Sequence, residues 1–72
     1  MKKKILIDFG KRIKEERQKL NLSQEALAEK AGVHRTYIGM VERAEKNITL
    51  SNIYKIANAL SLNLSDIFKG IN

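Results

Sequence analysis

Residues 23 to 43 read Ser-Gln-Glu-Ala-Leu-Ala-Glu-Lys-Ala-Gly-Val-His-Arg-Thr-Tyr-Ile-Gly-Met-Val-Glu-Arg, two helix-length stretches on either side of Gly32. No other feature constrains the fold as much. Ser23 suits an N-cap, because its hydroxyl can accept a bond from an unpaired amide of the first turn, and Gln24 to Ala31 follow without a breaker. Gly32 takes the left-handed conformation without a side-chain clash, so the chain turns sharply and Val33 drops back toward the core. A second helix follows, over roughly His34 to Arg43.

The remaining periodicity supplies three more helices and no strand. In the first, Ile5 to Lys19, the residues Phe9, Ile13 and Leu20 recur at helical spacing and form one expected buried stripe, which Asn21 ends. The helix after Ser23 packs Leu27, Ala28 and Ala31, and the one after Gly32 packs Val33, Ile38 and Val41. Ala44 to Asn47 is polar and loop-like. Thr49 is a plausible N-cap for Leu50 to Leu60, whose Ile53, Ile56, Ala57 and Leu60 fall at three- and four-residue intervals. Ser61 to Asn63 connects to a last short helix, capped by Ser65, running through Lys69 and closed by Gly70. The expected fold is all-α: five helices in one compact domain over residues 1–72, with residues 1–4 as a basic arm.

A chain of 72 residues buries only about 60% of the surface it exposes when unfolded, so its core is thin. With no cysteine there is no disulfide staple or thiolate metal site; a reducing cytosol is the expected setting, and dimerisation would be a further source of stability. Net charge is +6, of which five units fall in residues 1–20, where eight Lys or Arg face only Asp8, Glu15 and Glu16. That balance favours a polyanionic partner without requiring one. Lys2 to Lys4 followed by Ile5, Leu6 and Ile7 imitates a signal peptide, but Asp8 ends the apolar run far short of the roughly seven to fifteen residues an export signal needs. No apolar run approaches the roughly eighteen residues of a membrane span, so the expected location is the cytoplasm.

The paired stretches around Gly32 look like a helix-turn-helix, and the whole chain resembles the phage repressor and Cro family of DNA-binding domains, the Xre type. Within it, Arg35-Thr36-Tyr37-Ile38, Glu42-Arg43, Asn47-Ile48-Thr49-Leu50 and Lys55-Ile56-Ala57 are similar to the controller proteins of restriction-modification systems. Gly39 stands where that family usually has serine, and Lys46 where it usually has arginine. The resemblance implies a five-helix repressor-like fold and a homodimer on a two-fold operator upstream of its own gene and the endonuclease gene. It also implies activation at low occupancy and repression at high. A phage-type or chromosomal repressor and an antitoxin-like interaction module are the alternatives; antitoxins of that kind usually carry an extra segment, so an autonomous regulator is the expectation.

If the pair docks as such motifs do, the second helix lies in the major groove with its first residues facing base edges. Arginine's planar fork can bond guanine O6 and N7 together, which makes Arg35 the candidate base reader; the alternative is an arginine that touches only phosphate. Thr36 can bond a base edge or set its methyl against thymine, and Tyr37 can approach a phosphate or pack with its hydroxyl wet. Gln24, on the first turn of its helix, is placed to hold a phosphate at the positive helix end. His34 is expected to cap or flank the recognition helix and bond a phosphate, since no second histidine or cysteine exists to complete a metal site. Arg43, Lys46, Ser51 and Asn52 are candidate phosphate clamps, and Lys2 to Lys4 a mobile basic tail.

Three further expectations concern residues away from the bases. Arg17 lies on the apolar stripe of the first helix and Glu42 one turn after Ile38, so both charges project inward; matching residues in the repressor family bond each other. Leu60, Leu62, Leu64, Ile67 and Phe68 form an apolar C-terminal cluster, some of whose members are expected to face a second subunit, the alternative being an ordinary core. Glu25 and Glu29 share a helix face, and the resemblance implies a contact with RNA polymerase there. Nothing suggests catalysis or a cofactor: a nucleophile needs an adjacent base, and neither a Gly-rich phosphate loop nor a carboxylate pair in an apolar pocket can be built from these residues.

Overall fold

The computed structural model describes residues 3–71, so the N-terminal part of the expected arm, Met1 and Lys2, lies outside the described residues. Five helices follow in order: α1 Lys4–Lys19, α2 Gln24–Ala31, α3 Arg35–Glu42, α4 Leu50–Ala59 and α5 Leu64–Phe68. Lys4 belongs to α1 rather than to an arm, and its Nζ meets Asp8 one turn on at 2.6 Å.

Local chemistry sets the helix starts. Ser23 Oγ accepts from the Ala26 amide, His34 Nδ1 from Thr36 and Thr49 Oγ1 from Asn52, at 2.9, 3.1 and 3.2 Å. Each satisfies an amide that the first helical turn leaves without a partner. For α5 the expected cap is corrected: Asn63, not Ser65, closes the N-terminus. Asn63 Oδ1 accepts from the Asp66 amide while Asp66 Oδ2 accepts from the Asn63 amide, a reciprocal capping box, and the Ser65 hydroxyl donates to Asn63 Oδ1. The turns use left-handed residues at Asn21, Gly32, Ala44, Ser61 and Gly70. Ala44 lacks glycine's freedom there, but its methyl group is buried in return.

Each helix sends one large side chain to the centre: Ile13, Leu27, Ile38, Ile56 and Ile67 are the fully buried large residues. Leu20 does not join them. It caps α1 at its C-terminal end and is 48% exposed, because the chain turns away at Asn21 and leaves no element to cover it. The stripe of Phe9 and Ile13 is continued instead by Arg17.

The C-terminal apolar cluster is divided between the core and its edge. Leu60 is 3% and Ile67 0% exposed within this single chain, so these two belong to the core, while half-buried Phe68 packs against it with its ring stacked on Phe9, centroids 5.6 Å apart. The cause is α5 folding back on α1. Arg12 donates to the carbonyls of Asp66, Ile67 and Lys69, at 3.0, 3.2 and 2.7 Å, which supplies partners for groups that the end of a five-residue helix leaves open. Leu62 and Leu64 remain half-buried.

Two contacts fix α3 against α1. At Gly10 the backbones meet so closely that a Cβ would lie 2.5 Å from the Val41 carbonyl oxygen and 2.9 Å from that of Glu42. Seven residues on, Arg17 grips Glu42 with two bonds, Nε to Oε2 at 2.7 Å and Nη2 to Oε1 at 3.0 Å, and spends Nη1 on the Leu22 carbonyl at 2.8 Å. The two side chains are only 11% and 3% exposed. The hydrogen bond that Arg17 donates to Glu42 raises the pKa of its guanidinium above the ordinary value; burial opposes that shift and the Glu42 charge adds to it. A raised cation contributes stability that is lost only as pH climbs through the folded-state value, so Arg17 holds its proton through the whole neutral and mildly alkaline range. Replacing Arg17 by Ala strands the Glu42 carboxylate. We expect a loss of about 3–5 kcal/mol, seen as a large drop in melting temperature of the same size at neutral and mildly alkaline pH.

Candidate nucleic-acid interface

The exposed leading turn of α3 sits beside the N-terminus of α2, and the two enclose an open cleft of about 610 Å³ lined by Ser23, Gln24, Glu25, Arg35, Thr36 and Arg43 among others. Arg35 and Thr36 are exposed and Tyr37 is half-buried. The N-terminus of α4 lies next to Tyr37, whose hydroxyl accepts from Asn52 Nδ2 at 3.1 Å. One surface therefore carries the starts of three helices, the ends at which backbone N–H groups and the helix dipole favour an anion.

The side chains on this surface are tied to one another more than the sequence indicates. Arg35 Nη1 donates to Glu25 Oε2 at 3.2 Å, and both side chains stay largely in water. Glu25, expected to face polymerase, is thus drawn to the recognition helix. Gln24 Nε2 donates to Glu42 Oε1 at 3.1 Å, so its amide extends the Arg17–Glu42 pair to the cleft. His34 caps α3 as expected; with Nδ1 accepting from Thr36, its remaining donor is Nε2. Arg43 pairs with Glu45 at 3.1 Å, and Lys46 and Ser51 are exposed.

Gly39 has a role that periodicity did not reveal. It is buried in the middle of α3, and a Cβ there would stand 3.0 Å from Arg43 Nη1 and 3.5 Å from Gln24 Oε1. The missing side chain lets Arg43 lie across the helix toward the cleft. A glycine inside a helix costs roughly 1 kcal/mol against alanine, and that cost was the available signal of a close approach. Tyr54, 57% exposed on α4, is the other residue that sequence reasoning passed over; with Leu62 and Leu64 it lines a separate groove of about 660 Å³. Among the described residues no three His, Cys, Asp or Glu side chains gather as a metal site, and no helix is long and apolar enough to cross a membrane.

This geometry has known counterparts. The sequence pattern of the helix-turn-helix family matches residues 13–67, from the middle of α1 to near the end of α5. The chain belongs to that family. Control protein C.BamHI of Bacillus amyloliquefaciens is 41% identical over 68 residues, 93% of this helix-turn-helix chain and 84% of that protein. Control protein C.SmaI of Serratia marcescens reaches 63% over 41 residues, 57% of this chain and 49% of that protein, so the chain spans about half the length of that relative. The crystal structure of the restriction-modification controller protein C.AhdI from Aeromonas hydrophila superposes with a TM-score of 0.86 at 44% identity, over 88% of this chain and 96% of that one. The protein is a DNA-binding transcription regulator of the control-protein type, in a family of regulators rather than enzymes.

Proposed function

We propose that the protein regulates a restriction-modification locus by binding a two-fold operator as a homodimer. The observation that carries this reading is the eight-residue α3, held rigidly on α1 and presenting Arg35 and Thr36 on its open leading turn. Arg35 reads a guanine and Thr36 a neighbouring base edge, once Arg35 exchanges the carboxylate of Glu25 for the bases. Gln24, His34, Tyr37, Arg43, Lys46 and Ser51 hold phosphates on either side.

One copy offers a single short reading helix, whereas specific sites are typically bound at about 10⁻⁸ to 10⁻¹¹ M through a larger footprint. Two copies joined through Tyr54, Leu62 and Leu64 supply it. This face is narrower than the C-terminal cluster as a whole, since Leu60 and Ile67 are buried inside each subunit and Phe68 is stacked on Phe9. For activation, Glu29 is the better acidic contact for RNA polymerase, because it lies exposed on α2 while Glu25 is engaged with Arg35.

Three measurements test these assignments. Arg35→Ala should cost roughly 1–3 kcal/mol of operator affinity and relax preference at one position, whereas Lys46→Ala should weaken all duplexes alike and flatten the salt slope by about one unit. Equal losses for Arg35→Ala on operator and random DNA would demote Arg35 to a phosphate contact. Tyr54→Glu should weaken self-association by about 2 kcal/mol or more, the size of an interface anchor, with little change in melting temperature; sedimentation that still finds a dimer would place the interface elsewhere. Glu29→Gln should leave operator affinity intact and lower transcription from an activated promoter, and unchanged transcription would remove the polymerase contact.

A further inference from the structure

Tyr37 combines a fixed ring with a hydroxyl whose hydrogen bonding is half decided. Its ring packs against the core, so the phenol cannot swing freely. Its oxygen accepts from Asn52 Nδ2 at 3.1 Å. Asn52 is itself anchored on the first turn of α4, where its backbone amide donates to the Thr49 cap. A phenol has one proton to give, and with Asn52 donating to the oxygen that proton must point elsewhere. Among the described residues no protein group accepts it.

We infer that Asn52 is a positioning residue for DNA binding, whose donation to Tyr37 commits the phenolic proton to a phosphate oxygen of the duplex. The inference rests on the reading of α3 as the recognition helix and assigns Asn52 a part different from a direct phosphate clamp. Its amide grips the tyrosine, and the tyrosine grips the backbone. A hydrogen bond to a charged acceptor is stronger than one between neutral groups, and a donor already aimed at its target loses less freedom on binding. The same bond ties α3 to α4, so the phosphate reached by Tyr37 is held in register with the start of α4.

A double-substitution cycle separates this role from its competitors. The probe is a duplex enriched by the unaltered protein from a random-sequence pool, with affinity read at one fixed salt concentration because phosphate contacts are salt-dependent. Asn52→Ala should weaken binding about fivefold when Tyr37 is present and less than about twofold in the Tyr37→Phe background, the range of one ordinary hydrogen bond. Asn52→Asp can only accept, so it captures the phenolic proton; its loss should exceed the loss the same change causes in the Tyr37→Phe background, where only the added charge acts. Alanine favours helix more than asparagine, so melting curves should show these variants folded. An equal loss in both backgrounds would mean that Asn52 touches DNA itself and would overturn the inference. A lowered melting temperature with unchanged affinity would also overturn it, leaving the bond as a pin between helices. Failure of the unaltered protein to enrich any duplex would instead count against the DNA-binding reading.

Discussion

A guanidinium and a carboxylate taken out of water between α1 and α3 hold this protein's working surface in place. The Arg17–Glu42 pair is bidentate, its third Arg17 bond goes to the Leu22 carbonyl, and Gln24 completes the shell around Glu42. A buried pair of this kind adds little net stability over a well-packed apolar pair, because desolvation offsets most of the attraction. Its contribution is directional. Oil-like contacts tolerate a small slide of one helix over another, whereas a planar fork on a carboxylate does not, and Gly10 removes the side chain that would otherwise wedge the helices apart. The recognition helix, the turn before α2 and the first residue of α2 are therefore positioned by one set of bonds.

The apolar core that surrounds this pair is small. One large side chain from each helix fills the centre, and losing any of the five by truncation to alanine falls in the range of about 2–5 kcal/mol for core residues. A domain of this size has little stability to spare, so polar devices at its edges matter. Every helix from α2 to α5 starts on a side-chain cap, and Arg12 closes the end of α5 from across the fold. The C-terminal apolar residues are drawn on for the same reason. Ile67 completes the core and Phe68 packs against it, while Leu62, Leu64 and the exposed Tyr54 line a separate groove.

Several of the side chains expected to meet DNA are already partnered. Glu25 holds Arg35, Asn52 holds Tyr37, and Arg43 lies over Gly39. Such ties reduce the number of rotamers that must be frozen on binding, and an exposed pair such as Arg35 with Glu25 is weak enough to be exchanged for a base. Preorganisation and exchangeability coexist because the buried bonds lie beneath the surface and the replaceable ones lie on it.

Local signals in the sequence determined the five helices, the Gly32 turn, the caps at Ser23, Thr49 and His34, and the inward direction of Arg17 and Glu42. Each depends on residues within one or two turns, where spacing, capping chemistry and glycine's backbone freedom act without help from the rest of the chain. Arg35 and Thr36 could be singled out for the same reason, since their position on the leading turn is set by where the helix starts. Tertiary structure alone decided that Leu20 is exposed, that Leu60 and Ile67 are buried within the chain and Phe68 stacks on Phe9, and that Glu25 turns to Arg35 and Asn52 to Tyr37. Helical periodicity says which face a residue occupies but not what, if anything, comes to cover that face. Those outcomes turn on contacts between residues up to about sixty positions apart, and only the packed arrangement of all five helices specifies them.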